Sequence, residues 1–212
     1  MNLEPAVATR LLLVRHGQTH TSRDDTFCGV TEVPLTPVGC SQSQYLAERL
    51  RREHVDALYC SPQQRARETA APIARALEIE IRTRSALREM DFGEWENRSR
   101  ADLAREYPRE LEEWERGSLM AHPPGGETQQ AVVDRIVPCI IEVLAAHRGQ
   151  TVVVVSHKSA LRLLIGHLLQ LTPPESRNLR LDPASLSELR VTRGQVELVL
   201  CNDTSHLAGR DQ

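Results

Sequence analysis

The sequence contains no apolar run that approaches the roughly 18 residues of a membrane-spanning helix. Its first ten residues, MNLEPAVATR, are acidic-leaning and lack the apolar core of a secretory signal. Internal repeats and low-complexity tracts are also missing. These absences predict a cytoplasmic protein with no membrane partner. The length of 212 residues suits a single domain, residues 1–212, with a large buried core.

Paired cysteines are absent as well. The five cysteines are scattered and odd in number, and none forms a CxxC pair. We therefore expect neither a zinc site nor a disulfide framework. The simplest interpretation is reduced, small core side chains in a cytoplasmic protein. The positions are Cys28, Cys40, Cys60, Cys139 and Cys201.

A large net charge of either sign is missing too. The chain carries 26 Lys and Arg against 29 Asp and Glu, a formal net charge of −3. This balance gives no signature of nucleic-acid binding or of attraction to an anionic membrane. A small anionic substrate is still allowed, because one local cluster of arginines is enough to bind it.

Short apolar runs alternate along the chain with longer patterns of helical period. The run TVVVVS is apolar at consecutive positions, which is typical of a strand buried on both faces. Two late runs flank Thr192-Arg193-Gly194 and predict a partly exposed hairpin, at whose edge a homodimer could form. The predicted strands are 10–15, 55–60, 79–83, 151–156, 185–191 and 195–201.

Helix signals fill the intervals between these strands. Thr36 and Pro37 suit the cap and the first turn of one helix, and Ser61-Pro62 suits the start of another. Pro72 and Pro138 fall inside two helical patterns, where we expect a kink or an interruption. The predicted helices are 36–52, 61–77, 128–147 and 161–169.

This alternation predicts an α/β fold, a three-layer α/β/α sandwich with a mostly parallel central sheet. Residues 92–126 differ from the rest of the chain. They are charged, include both tryptophans and end in the loop HPPGGET. We interpret them as a small helical cap insertion that covers one end of the sheet.

Three of the predicted strands end at chemically active residues. Arg15-His16 follow the first strand, Ser61 follows the second with Arg65 a turn later, and Ser156-His157 follow the fourth. Open α/β sheets bind ligands beyond the carboxyl ends of their strands. If these strands are parallel neighbours, two histidines and two arginines meet beside helix N-termini, which suits an anion.

Such a cluster favours phosphate chemistry. The planar fork of arginine matches phosphate oxygens, and a histidine with one unprotonated ring nitrogen can attack phosphorus. The leaving alcohol then needs a proton, which a carboxylic acid can supply. Within LREMDFGEWE the candidates are Glu89, Asp91, Glu94 and Glu96.

Five motifs occur in the order found in the histidine phosphatase superfamily, and most resemble its phosphoglycerate-mutase-like branch. The resemblance covers about residues 10 to 205, and it implies that fold and phosphoryl chemistry without a metal or an organic cofactor. Five ordered motifs are far more specific than the Arg-His-Gly triplet alone. The motifs are LVRHGQT, YCSPQQRARETA, LREMDFGEWEN, GGET and VVVVSHKSALRLL.

The resemblance implies a role for each matching residue. His16 resembles the nucleophile that becomes phosphorylated, and Arg15 and Arg65 resemble the clamp on the phosphate. His157 resembles the second pocket histidine, which holds the phosphoryl group and stabilises the transition state. Glu89 resembles the general acid that later activates water, with Asp91 as its main rival.

Other positions are expected to contact the substrate or depart from the family pattern. Cys28-Gly29 stand where the family has backbone donors. Ser22 replaces a frequent asparagine and could keep a hydrogen bond with a shorter reach. Lys158 replaces a glycine and could add charge to the pocket. His20 departs from the usual pattern, and Glu127 lies where the family approaches its pocket from the cap.

We therefore predict a phosphatase that hydrolyses small phosphomonoesters through a phosphohistidine. The nearest alternative is a bisphosphate-dependent phosphoglycerate mutase. A non-catalytic binding module is disfavoured because the five matched site residues are all present. A metal-dependent hydrolase is disfavoured because no acidic cluster accompanies the histidines.

Overall fold

The computed structural model describes residues 7–209, and within them six strands form one sheet in the order β3-β2-β4-β1-β5-β6. Strands β1 to β4 are parallel, β5 runs antiparallel to β1, and β6 runs antiparallel to β5. The predicted mostly parallel sheet and its C-terminal hairpin are therefore confirmed. The strands are β1 Thr9–Arg15, β2 Ala57–Cys60, β3 Ile81–Thr83, β4 Thr151–Ser156, β5 Leu186–Thr192 and β6 Gln195–Asp203.

Eight α-helices accompany the sheet in the described part of the chain. Short 3₁₀ turns at Ser85–Leu87, Gly93–Trp95 and Ser205–Leu207 complete the elements. None of the helices within residues 7–209 is long and apolar enough to cross a membrane. The helices are α1 His20–Arg23, α2 Pro37–Leu50, α3 Gln64–Leu77, α4 Arg100–Glu106, α5 Pro108–Glu115, α6 Gln129–Ala146, α7 Lys158–Leu168 and α8 Pro173–Asn178. Residues 1–6, which hold most of the N-terminal stretch interpreted above, lie outside the described residues.

The side chains of β1 divide between two hydrophobic cores because successive residues of a strand point to opposite faces. Leu12 and Val14 pack into the core that contains residues of α2 and α3. Leu11 and Leu13 pack into the core that contains residues of α6 and α7. Helices therefore cover both faces of the sheet, which confirms the predicted three-layer sandwich.

Two of the predicted helix boundaries follow from capping side chains. The Thr36 hydroxyl accepts a hydrogen bond from the Gly39 N–H at 3.0 Å, and Thr128 accepts one from Ala131 at 3.0 Å. The helix expected to open at Ser61-Pro62 instead begins at Gln64. The reason is that Ser61 stays with the sheet, since its N–H donates to the Val155 carbonyl.

Of the kink or interruption expected at the two internal prolines, the interruption is wrong. Pro72 lies inside α3 and Pro138 inside α6, and both helices continue through them. A proline removes one hydrogen bond from a helix. Burial of residues such as Ile73 and Val137 beside the prolines holds the helices in place.

The segment predicted as a cap contains α4 and α5. Its Trp95, Leu103 and Leu111 are buried in the core on the α6–α7 side of the sheet. Phe27, from the loop after α1, packs edge-on against Trp95 at a centroid distance of 5.5 Å. This packing fixes the segment against the carboxyl edge of the sheet.

Candidate active site

The carboxyl ends of β1, β4 and β2 lie side by side. Arg15 pairs with Ser156 across β1 and β4, and Cys60 pairs with Val155 across β2 and β4. The residues that follow these strands therefore meet at one edge, as predicted. A cavity of about 300 Å³ opens there. Seven of the nine predicted site residues line it, namely Arg15, His16, Ser22, Cys28, Arg65, Glu89 and Lys158.

His16 is held rigidly with one ring nitrogen free. Its backbone N–H donates to the Ser156 carbonyl at 3.0 Å, and its Nδ1 lies 2.8 Å from the Gly17 carbonyl oxygen. A carbonyl only accepts, so Nδ1 carries the proton and Nε2 carries the lone pair. Burial, followed by the charges of Arg65 and Arg15, lowers the pKa of His16 well below its usual value. The neutral, attacking form is therefore favoured.

Glycine after His16 permits a close approach to the backbone of α2. A Cβ on Gly17 would lie 2.7 Å from the Gly39 carbonyl oxygen at the start of α2. The Gly17 N–H donates to the Thr69 hydroxyl at 3.0 Å. The loop that carries His16 is thereby fixed against both α2 and α3.

His157 lies behind His16 and is fully buried. The two rings are tilted, with centroids 5.1 Å apart. Arg65 Nε donates to His157 Nδ1 at 3.2 Å, so His157 Nε2 carries the proton and donates to the Ser61 hydroxyl at 2.8 Å. Burial, together with Arg65, His16 and Arg15, lowers the pKa of His157 well below its usual value. Unlike the seven residues above, His157 does not line the cavity.

One of the hydrogen-bond donors of Arg15 has no protein partner among the described residues. Its Nη1 donates to the Leu181 carbonyl at 2.6 Å, whereas its Nε is buried without a partner among the described residues. Burial lowers the pKa of Arg15 to about 10, so the guanidinium is still charged at neutral pH. A buried charged donor that lacks an acceptor is costly, and an anion in the cavity would relieve that cost.

Arg65 is bonded on three sides. Besides His157, it donates from Nη1 to the Thr31 carbonyl at 3.0 Å and from Nη2 to the Gly29 carbonyl at 2.7 Å. Only 1% of the residue is exposed, but it still borders the cavity. The guanidinium is thereby oriented by the backbone of the loop at residues 28–31.

Glu89 sits at the N-terminus of α7. Its carboxylate accepts the N–H groups of Ser159 and Ala160, both at 3.0 Å, and that of Met90 at 2.9 Å. The Glu89 N–H donates to Gln63 Oε1 at 2.7 Å. The rival acid Asp91 accepts the Gly93 N–H and does not line the cavity. The geometry therefore favours Glu89 as the carboxyl that reaches a bound substrate.

The expectation for the Gly29 N–H needs correction. That N–H donates to both carboxylate oxygens of Glu96, at 2.9 and 3.1 Å, and Gly29 does not line the cavity. The same carboxylate accepts the N–H groups of Val30 and Thr31. The loop is wrapped around Glu96, so its donors face that side chain and not the cavity. Cys28 does line the cavity.

The other predicted positions divide by their contacts. The Ser22 hydroxyl borders the cavity but is engaged with the Thr19 N–H and carbonyl in the cap of α1. Lys158 lines the cavity, and burial followed by Arg15 and Arg162 lowers its pKa. His20 is exposed and lies outside the lining.

Glu127 lies outside the cavity lining, and its carboxylate bonds to two arginines and one backbone N–H. It pairs with Arg88 and with Arg135, the latter at 3.0 Å, and accepts the Asp91 N–H. Arg135 in turn donates to the Glu89 carbonyl at 3.0 Å. The predicted approach of Glu127 to the pocket is therefore wrong, because its carboxylate is taken up in holding the backbone around Glu89.

Three cavity arginines were not found from the sequence. Arg162 of α7 donates to the Leu179 carbonyl, Arg177 of α8 donates to the Trp114 carbonyl, and Arg100 of α4 pairs with Glu115. With Arg15, Arg65 and Lys158 they bring the basic side chains in the lining to six, against three acidic ones. Single basic residues on helices carry no motif, so only their juxtaposition reveals them.

Fold and site together define a class, an α/β protein with two arginines and two histidines clustered at the carboxyl edge of its sheet. No group of three or more His, Cys, Asp or Glu side chains in residues 7–209 is arranged to hold a metal ion. The chain belongs to the histidine phosphatase superfamily (branch 1), whose family model matches residues 11–204. The predicted family and fold are thereby confirmed.

Three of the similar proteins are named as phosphatases. Phosphoserine phosphatase 1 of Hydrogenobacter thermophilus is 30% identical over 93% of this chain and 94% of its own length. The adenosylcobalamin/alpha-ribazole phosphatase of Escherichia coli is 31% identical over 91% of this chain and 95% of its own. The solved structure of mycobacterial glucosyl-3-phosphoglycerate phosphatase is 26% identical, with a TM-score of 0.85 over 92% of this chain and 99% of that one.

Proposed function

We propose that this protein hydrolyses small-molecule phosphomonoesters through a phosphohistidine on His16. The observation that carries the proposal is the state of the His16 ring. Nδ1 is committed to the Gly17 carbonyl, and Nε2 has no hydrogen-bond partner among the described residues. Burial beside Arg15 and Arg65 keeps that ring neutral. The names of the similar proteins support the same reaction class.

In the first step, the Nε2 lone pair of His16 attacks phosphorus and forms a P–N bond. The ester P–O bond breaks, and its electron pair stays on the leaving oxygen, which takes a proton from Glu89. Arg15 and Arg65 neutralise the charge on the transferring phosphoryl group. Three backbone N–H groups, of Met90, Ser159 and Ala160, donate to the Glu89 carboxyl and hold it in position beside the leaving oxygen.

In the second step, Glu89 takes a proton from water as the water oxygen attacks phosphorus. The P–N bond breaks, its electron pair returns to His16 Nε2, and inorganic phosphate leaves. His157 contributes by orienting Arg65 Nε and by closing the rear of the His16 ring. The residues of the 92–126 segment that line the cavity, such as Phe92 and Trp114, contact the leaving group.

Trapping the intermediate tests this proposal. The protein is mixed with a ³²P-labelled phosphomonoester and quenched in alkali, which preserves phosphohistidine. We expect label on wild type, none on His16→Ala, and loss of phosphate release in that variant. His20→Ala is the matched control, because His20 is exposed and lies outside the cavity. Undiminished phosphate release by His16→Ala would overturn the mechanism.

One observation keeps a mutase as the second candidate. Lys158, Arg162 and Arg177 line the cavity in addition to the two arginines assigned to the phosphate, and they could retain a second acid group. Incubation with 3-phosphoglycerate, with and without a bisphosphoglycerate primer, separates the two functions. Primer-dependent formation of 2-phosphoglycerate without phosphate release would replace hydrolysis by phosphoryl transfer.

A further inference from the structure

A second cavity, larger than the catalytic one, lies between α7, α8 and the segment that precedes α6. Its volume is about 450 Å³. Most of its lining is apolar, with side chains contributed by Met90, Leu119, Val133, Leu163, Leu171 and Pro173. The mechanism proposed above does not use this space.

The two cavities meet at four shared residues. Trp114, Ser159, Arg162 and Arg177 line both of them. Arg177 lies over the Trp114 ring, 4.2 Å from its centroid, and donates to the Trp114 carbonyl. Ser159 donates its N–H to the Glu89 carboxylate, so the junction lies beside the group proposed to protonate the leaving oxygen. A leaving group that extends from the phosphate toward these shared residues is therefore directed at the apolar cavity.

The sizes and the chemistry of the two cavities are complementary. Small-molecule sites commonly enclose about 300 to 1,000 Å³, with mostly apolar walls and a few placed polar groups. The catalytic cavity alone is at the lower limit and is rich in charge. The second cavity supplies the missing apolar wall. Together they suit a ligand with a phosphate at one end and an apolar group at the other.

The geometry points to a substrate class, phosphomonoesters whose alcohol carries an apolar group that occupies the second cavity. This inference rests on the proposed phosphatase activity. Arg162 and Arg177 lie at the junction, and burial lowers the pKa of each, with Arg100 and Arg162 adding to the effect on Arg177. Their guanidinium groups donate to polar atoms of the alcohol next to the ester.

A series of alkyl phosphates tests the inference, because ethyl, butyl and octyl phosphate differ in apolar length and hardly at all in leaving-group chemistry. We expect kcat/KM to rise along the series, by roughly tenfold or more from ethyl to octyl. Equal values for all three, with phosphate released from each, would overturn the second-cavity inference and leave the phosphatase proposal intact. No release from any ester would overturn the phosphatase proposal itself.

Variants that fill the second cavity test whether the octyl preference arises there. Leu163→Phe on α7 and Leu171→Phe in the loop after it both reduce the second cavity and lie outside the catalytic lining. We expect each to abolish most of the octyl preference and to leave ethyl phosphate turnover unchanged. Leu163→Ala enlarges the cavity and is expected to keep the preference. If both phenylalanine variants keep the octyl preference, the octyl chain binds to a surface other than the second cavity, and the inference is overturned.

Binding of non-hydrolysable phosphonates separates the cavity from the chemistry. Octylphosphonate is expected to bind wild type more tightly than ethylphosphonate, with a more negative heat-capacity change, which is the robust mark of apolar burial. Leu163→Phe is expected to remove that difference. Equal affinities and heat-capacity changes for the two phosphonates would contradict the inference even if catalysis had failed for another reason.

Discussion

At the scale of single residues, the site depends on groups that leave little freedom of orientation. Arg65 commits Nε to His157, Nη1 to Thr31 and Nη2 to Gly29. A lysine carries the same charge, but as a point charge on a flexible stem, and it cannot reproduce a three-sided planar fork. The orientation of the guanidinium, and not its charge alone, is therefore what the structure maintains.

Arg65→Lys tests this point directly. We expect kcat/KM for phosphate release to fall by roughly 100-fold, because the oriented donors to the phosphoryl group and to His157 are lost. Arg67→Lys, an exposed position on the same helix, is the matched control and is expected to behave as wild type. A variant at position 65 that keeps full activity would show that only the charge matters.

The pH dependence of the rate follows from the environment of His16. Burial, Arg65 and Arg15 lower its pKa well below the usual value, so the neutral nucleophile persists as the pH falls. We correct kcat/KM for ionisation of the substrate. We then expect it not to fall at about pH 6.5, where an ordinary histidine becomes protonated. A pH–rate profile between about pH 5 and pH 8 measures this. A midpoint at the ordinary histidine value would contradict the assignment.

At the scale of elements, one loop connects the cap segment to the phosphate clamp. The Glu96 carboxylate accepts the N–H groups of Gly29, Val30 and Thr31, as well as the Thr31 hydroxyl at 2.6 Å. The carbonyls of Gly29 and Thr31 then orient Arg65. Glu96 is thus a positioning residue, which acts on the clamp through the backbone of the loop.

Glu96→Gln is expected to weaken the clamp without removing a reacting group. The amide keeps one acceptor but loses the charge, so we expect inhibition by inorganic phosphate to weaken roughly tenfold. The affinity for phosphate is expected to change more than kcat, and Glu96→Ala is expected to be worse than Glu96→Gln. Glu94→Gln is the control, because Glu94 is exposed and, within residues 7–209, accepts a hydrogen bond from the Tyr107 hydroxyl alone. Loss of thermal stability with unchanged phosphate inhibition would reduce Glu96 to a structural role.

Predictability differed between elements for physical reasons. Buried parallel strands have continuous apolar runs, and β4 is the clearest case, so their carboxyl ends and the meeting of His16 with His157 could be predicted. The bond between Gly29 and Glu96 spans 67 residues along the chain and leaves no local pattern. The contribution of Arg162 and Arg177 to the cavity lining likewise depends on how α7 and α8 pack together. The periodicity of side chains along the sequence does not specify this packing.

At the scale of the whole molecule, the catalytic cluster adds a pH-dependent contribution to folding. His16 and His157 are both buried and neutral, and burial is the largest cause of the low pKa of each. In the unfolded chain both rings take up protons with the ordinary histidine pKa of about 6.5. Below that pH the unfolded state therefore binds more protons than the folded one, and the free energy of unfolding falls as the pH falls.

The free energy of unfolding, measured with urea at several values between about pH 7.5 and pH 5.5, tests this linkage. Each histidine that stays neutral in the folded protein adds a slope of up to about 1.4 kcal/mol per pH unit, and this slope develops as the pH falls through the unfolded value. His16→Gln removes one such group, so we expect its stability to decline less steeply with acid than that of wild type, whatever its stability at neutral pH. His20→Gln is the control, because it replaces a histidine that is exposed and lies outside the cavity. Identical slopes for wild type and His16→Gln would mean that His16 binds its proton equally well in both states, and the neutral nucleophile would then need another explanation.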